Sequence, residues 1–376
     1  MDDTRATGRR AAGFVGALVT VLVLVLAACS APGGGRGAVG TAAAADARPW
    51  AEVTPLDDPK SYEGPSTARV TDSRIVPVAV DPAGTLPVTV TDTQGTQVTV
   101  SSTARVLALD LYGSLAATVD ALGLGGSLVG RDTSTGFPGS EDLPLVTRNG
   151  HQLDAESILS LRPTLLLTDT TLGPWDVVLQ IRDAGVPVVV LDPKRSLDTV
   201  SSTTTQVAAA LGLPEQGAAL ATALVDQIDA VRAQVDAVAP RDPAQRLRIA
   251  FLYARGNAGV YYLFGANSGV DTLVEALDGI DVATEAGIQG YVPLNAEALA
   301  KAAPDVILMM TDGLESVGGV DGALQLPGVA QTPAGSHRRI VDMSDFQVLS
   351  FGPLTARVLD ALARALYAPD SLGGAG

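Results

Sequence analysis

The sequence predicts an α/β protein built as two lobes joined by a long rigid helix. Three observations predict it. Short apolar runs alternate with helical stretches in two separate blocks, a long helix-period segment lies between the blocks, and one stretch of sequence recurs once in each. Alternation of this kind implies strands laid side by side in a buried sheet with helices packed on its faces.

The elements follow in chain order. Val88, Val90, Val98 and Val100 alternate with polar residues on either side of Asp92-Thr93-Gln94-Gly95, which predicts a β-hairpin and places the start of order near Leu86. Val106–Leu109, Leu165–Leu167 and Val188–Leu191 are compact apolar runs suited to a buried parallel sheet, with helices expected at Asp154–Leu161 and Trp175–Ala184. These define a first lobe over residues 85–196. Residues 197–240 show no strand pattern and form a helical linker. Within it Leu220, Leu224, Ile228, Val231, Val235 and Val238 make one apolar stripe on a helix from Glu215 to Val238. Such a helix is about 36 Å long, enough to run across two lobes. Over residues 241–370 the alternation resumes, with strands at Ile249–Tyr253, Tyr261–Phe264, Val306–Met309 and Ile340–Met343. Helices are expected there at Ser268–Leu277, Asn295–Ala302 and Pro353–Tyr367.

Ahead of the lobes the chain reads differently. Arg5, Arg9 and Arg10 precede an uncharged apolar run from Ala11 to Leu26, the layout of a secretory signal. The run falls short of the roughly 20 residues that span a bilayer. It ends in Leu26-Ala27-Ala28-Cys29, small residues before a cysteine, which match the lipobox of bacterial lipoproteins. Residues 1–28 are therefore expected to be a signal peptide. Cys29 is expected to carry the lipid that holds the mature chain at the outer face of the cell membrane, with no other membrane contact. Residues 29–84 are expected to be a flexible Gly/Ala-rich tether followed by a poorly defined Pro-, Asp- and Ser-rich segment.

Composition removes several function classes. Cys29 is the only cysteine, so the mature domain has no internal disulfide, cysteine nucleophile or Cys-rich metal site. A net charge of -16 argues against nucleic acid, whose phosphates it would repel. A chain that is 47% hydrophobic and 18% charged buries an ordinary globular core.

The recurring stretch points to a site. Gly150-His151-Gln152-Leu153-Asp154-Ala155-Glu156 in the first lobe answers Gly290-Tyr291-Val292-Pro293-Leu294-Asn295-Ala296-Glu297 in the second. A proline follows each glutamate by seven residues, and an apolar strand comes next. Asp154 and Asn295 are good helix N-caps, and Glu156 and Glu297 fall in the first turn, where negative charge complements the helix dipole. Ligands of open α/β sheets bind on loops at strand ends, so His151 and Tyr291 are candidates to face one space. A lone histidine is more often structural than a ligand, and the second one, His337 in a polar loop, reads as surface. Gly123-Leu124-Gly125-Gly126 lacks the spacing of a nucleotide loop and reads as a turn. The serine of Gly265-Ala266-Asn267-Ser268-Gly269 is misplaced for a nucleophile elbow.

Beyond the repeat, five passages carry a resemblance spread over most of the mature chain. They are Asn149-Gly150-His151 with its following helix, Phe251-Leu252-Tyr253-Ala254-Arg255-Gly256, Gly290-Tyr291-Val292-Pro293-Leu294, Leu314 to Gly322, and Phe351-Gly352-Pro353. In these the chain resembles type III substrate-binding proteins of ABC importers, which take up cobalamin, ferric siderophores and haem. Within that class it most resembles haemin-binding lipoproteins of HmuT type. The resemblance implies two Rossmann-like lobes in the type III periplasmic-binding-protein fold. It implies a non-enzymatic monomer that passes haem to an ABC permease and its ATPase, with haem iron ligated by His151 and Tyr253 and with Arg255 hydrogen-bonded to the tyrosine. A phenolate is a hard donor suited to ferric iron, and a nearby cation favours it over the phenol. Arg255 pairing with a haem propionate is the alternative. Tyr291 and Met310 are expected to line the pocket, Met309 being an equally good neighbour, since most such methionines are core. Glu156 and Glu297 are expected to dock on the permease, against the plain reading as helix-start residues. The competing functions are a ferric siderophore or cobalamin held by the same fold, and a secreted α/β hydrolase, for which no paired nucleophile and base is present.

Overall fold

The near-continuous apolar runs of the first lobe form a sheet in a computed structural model that describes residues 48–372. Val106–Leu109, Leu165–Thr168 and Val188–Val190 lie parallel in that order, every residue of each strand buried. Burial on both faces is what a strand without alternation requires. Helices Ala155–Ser160 and Trp175–Asp183 lie against one face, where Leu107, Ile158, Leu166 and Ile181 share an outer core. The predicted hairpin pairs Val88–Thr91 with Gln97–Val100. Its turn is held by Asp92, whose carboxylate accepts from the Gln94 and Thr96 amides, while the Thr93 amide donates to Val190 beside the sheet.

The second sheet has seven strands. Ser66–Ala68, Ile340–Met343, Val306–Met310 and Arg248–Arg255 run parallel; Val260–Phe264 and Tyr291–Pro293 continue antiparallel, and Ile280–Asp281 pairs with the far end of Arg248–Arg255. Its two faces have different partners. Leu252, Ala254, Leu263 and Met309 face an outer core, while Phe251, Leu308 and Val341 join the central core that also holds Val106, Leu165, Leu224 and Leu359. Between the sheets the linker forms Val200–Ala210 and then Pro214–Val238, broken at Gly212. Leu220, Leu224, Ile228 and Val235 are buried along the long helix, which packs against Val200–Ala210 and against the C-terminal helix Thr355–Tyr367. Among the described residues no helix is long and apolar enough to cross a membrane.

One expectation is corrected. Order begins well before Leu86: the Pro-, Asp- and Ser-rich segment, poorly defined from its sequence, is structured from Arg48 onward. Trp50 donates its indole N–H to Asp360 at 2.6 Å, with the Arg364 guanidinium 4.6 Å above its ring. Ser66–Ala68 then adds an edge strand to the second sheet. Further on, Val78 donates to Ala121, and Thr85 exchanges backbone contact with Gly212, whose left-handed φ of 71° brings the chains too close for a Cβ. The segment crosses from one lobe to the other on backbone hydrogen bonds and single aromatic anchors, so it leaves no periodic apolar signature. His337 is half-buried rather than surface, and its carbonyl accepts from the Gly64 amide of this strap. The signal peptide, Cys29 and the Gly/Ala-rich stretch lie outside the described residues.

Candidate functional site

Both copies of the repeated stretch close onto a helix by the same chemistry. Asp154 accepts from the Ser157 amide at 2.8 Å and Asn295 from the Ala298 amide at 2.9 Å, each capping its helix. Glu156 and Glu297 are exposed in the first turns of those helices. Before each cap the copies diverge. In the first lobe Thr147–Arg148 and Gln152–Leu153 form a small antiparallel ladder with His151 at its tip, turned by the left-handed Asn149 and Gly150. In the second, Tyr291 opens an edge strand of the main sheet.

The strand Arg248–Arg255 presents alternate side chains to one face, so Phe251, Tyr253 and Arg255 point the same way. Cross-strand register puts Phe264 opposite Phe251, Tyr262 opposite Tyr253 and Tyr291 opposite Phe264. The rings form a continuous aromatic surface: Phe251–Phe264 at 5.3 Å, Tyr253–Phe264 at 6.0 Å, Phe264–Tyr291 at 5.5 Å and Tyr262–Tyr291 at 5.3 Å. Spacings of this order suit tilted and edge-on aromatic pairs. Tyr253 is half-buried, whereas Tyr291 is 62% exposed, which is unusual for a ring already in a cluster. Met310 is half-buried and packs against the central core with Tyr253 and Phe264. Met309, its equally good alternative from sequence, is fully buried on the opposite face.

Arg255 departs from the expected contact. Its guanidinium lies over the Tyr253 ring at 4.6 Å, and its hydrogen bonds go to Asp345 Oδ1 at 2.6 Å and the Ala254 carbonyl at 2.9 Å rather than to the phenol oxygen. Residues two apart on a strand do share a face, but the long arginine side chain folds back across the ring and is drawn to the half-buried carboxylate.

Two electrostatic links join the lobes. The protein packed around the His151 ring, and then the Arg255 charge, push the histidine pKa below its ordinary value even though its outer side meets solvent. A lowered pKa favours the neutral imidazole, the form that donates a lone pair to a metal. Tyr112 of the first lobe is shifted up by burial and is near enough to Tyr291 to be affected by its charge. Phe346 of the second lobe lies so close to Gly136 of the first that a Cβ there would come 2.4 Å from the ring. His151 thus lies within reach of the Arg255 charge, and Tyr112 within reach of Tyr291, across the two lobes.

Sequence reasoning missed a buried acid cluster in the first lobe. Asp110 and Asp169 directly follow the strands Val106–Leu109 and Leu165–Thr168, and with Asp132 they are fully buried. Arg195 joins two of them, its Nη2 being 2.9 Å from Asp169 Oδ2 and 3.2 Å from Asp110 Oδ2, while its Nε donates to Ser114. Asp132 has no cation of its own. It accepts from the Ser134, Thr135 and Asp110 amides, and burial beside Asp110 raises its pKa to about 7. Asp169 is also raised, chiefly by burial. The available signal was Asp110 directly after one predicted strand and Asp169 one residue beyond the next.

A profile of the periplasmic binding protein family matches residues 110–345. Among solved structures, the haem-binding protein HmuT is 42% identical, with a TM-score of 0.79 over 82% of this chain and 99% of that one. It has also been solved with a histidine, a tyrosine or an arginine replaced by alanine, the last two being two positions apart. The periplasmic haem-binding protein RhuT of Roseiflexus sp. RS-1 is 38% identical, with a TM-score of 0.64 over 70% of this chain and 99% of that one. An ABC transporter substrate-binding lipoprotein of Bacillus subtilis, YvrC, is 24% identical over 290 residues, 76% of this chain and 87% of its own.

Proposed function

This chain belongs to the periplasmic binding protein family, and we propose that it is an extracytoplasmic haem-binding lipoprotein that delivers haem to the permease of an ABC importer. The observation that carries the reading is the Arg255 guanidinium stacked 4.6 Å over the Tyr253 ring, with its charge also felt by His151 of the other lobe. Imidazole and phenolate are both established haem ligands, and they would approach iron from different lobes. Iron displaces the phenol proton on binding, and the guanidinium offsets the charge left on the oxygen. The tilted and edge-on rings of Phe264, Tyr262 and Tyr291 offer an aromatic wall of the kind a macrocycle packs against. The tyrosine and arginine two residues apart in HmuT have the spacing of Tyr253 and Arg255.

In this reading Cys29 carries the lipid anchor, Glu156 and Glu297 meet the permease, and Met310 and Tyr291 line the pocket. The test separates haem from a siderophore or cobalamin, which bring their metal already ligated. Haemin affinity of the His151→Ala, Tyr253→Ala double variant is expected to fall by at least about a hundredfold, roughly 2.7 kcal/mol. Near-unchanged affinity would instead favour a pocket that holds its ligand by shape.

A further inference from the structure

Arg255 already has a carboxylate partner before any ligand arrives. Asp345 Oδ1 takes its Nη2 at 2.6 Å, and Asp345 Oδ2 accepts from the Asp312 amide at 2.9 Å, at the start of helix Thr311–Ser316. The carboxylate therefore ties the guanidinium to the backbone of a neighbouring element. Gly313 of the same helix leaves room for the pair, since a Cβ there would sit 3.2 Å from Arg255 Nη1. Tyr253 covers the guanidinium at 4.6 Å, and the Ala254 carbonyl takes Nη1. On either side of Asp345 the loop is fixed: Asp342 accepts from Thr67 and Thr311 hydroxyls, and Phe346 rests on Gly136.

From this geometry we infer that Asp345 is a positioning residue of the ligand site, which holds the Arg255 guanidinium over the Tyr253 ring and withholds it from a carboxylate of the ligand. The inference deepens the haem reading and rests on it. The Arg255 side chain is 34% exposed, and a stacked cation at an open site is held only weakly by the ring. A charge-assisted bond to a carboxylate that is itself anchored supplies the missing direction. With Asp345 in place, Arg255 serves the tyrosine. Without it, the arginine is released toward solvent and toward any propionate.

The test titrates haemin into full-length wild type, Asp345→Ala, Asp345→Asn, Asp345→Glu, Arg255→Ala and the Asp345→Ala, Arg255→Ala double variant, following the Soret band and the tyrosinate-to-iron charge-transfer band. Asp345→Ala is expected to weaken binding about tenfold, the scale seen when a group orienting a metal ligand is lost. Its tyrosinate band is expected to shrink, with Asp345→Glu restoring much of it. In the Arg255→Ala background the Asp345 substitution is expected to add nothing, because its effect travels through the arginine. Asp345→Asn keeps the shape of the loop and guards against a folding artefact; it is expected to fall between Ala and Glu. An Asp345→Ala protein indistinguishable from wild type, or a loss that simply adds to that of Arg255→Ala, overturns the positioning role while leaving the haem reading intact. A wild type that gives no Soret change retires the haem reading itself.

Discussion

Arg255 shows how much a single side chain can carry between the two lobes. It stacks on Tyr253, pairs with Asp345 and depresses the His151 pKa. Of these relations, only its shared strand face with Tyr253 was legible in the sequence, because a two-residue spacing fixes direction. Asp345 was not legible, as it lies 90 residues away and belongs to no motif. Arg255→Lys keeps the charge but loses the planar stack and the forked donors. Haemin affinity measured by fluorescence quenching is expected to drop about two- to fivefold, the worth of roughly 0.5–1 kcal/mol for a cation over a ring at an open site. No change would mean that charge alone matters at this position.

Among the elements, the parallel strands of the first lobe were readable as apolar runs and the repeated helices by their caps. Both signals are local. The acid cluster was not readable, since its meaning depends on Arg195 arriving from the end of the first lobe, far along the chain, and on complete burial. It carries a pH dependence whose sign follows from its raised pKa values. An unfolded aspartate ionises near pH ~3.9, whereas folded Asp132 holds its proton until about 7. Between those values the folded state binds more protons than the unfolded state, so this contribution to stability is fully present at low pH and is lost as pH rises through about 7. Urea denaturation from pH 5 to 8 is expected to show that downward component, and Asp132→Asn is expected to flatten it. An unchanged slope in that variant would contradict the assignment.

At the scale of the whole molecule, the two-lobed α/β plan and the long helix were legible because both rest on periodicity. The strap of residues 48–84 was not, because it holds the lobes through Trp50, Tyr62 and backbone contacts rather than through an apolar stripe. Arg339 shows the strength of that hold. It is buried without a carboxylate, beneath the Tyr62 ring at 4.4 Å, and donates to Ser66 and to the last carbonyls of the C-terminal helix. Trp50→Ala is expected to cost about 1–2 kcal/mol in urea denaturation, as a partly buried ring should, without altering ligand affinity. A loss within error would contradict the anchoring role of Trp50. The proposed docking role of the exposed Glu156 and Glu297 is tested on the assembled importer: Glu156→Ala and Glu297→Ala are expected to lower haem uptake by cells while leaving haemin binding unchanged, and a loss of binding would place them in the pocket instead. The central claim is that the cleft between the lobes receives haem. Its most direct test is a titration of the purified wild-type protein with haemin, read at the Soret band, and saturation with a tyrosinate charge-transfer band that disappears in Tyr253→Phe is the expected result. A linear, unsaturable Soret response, identical in wild type and Tyr253→Phe, would contradict it.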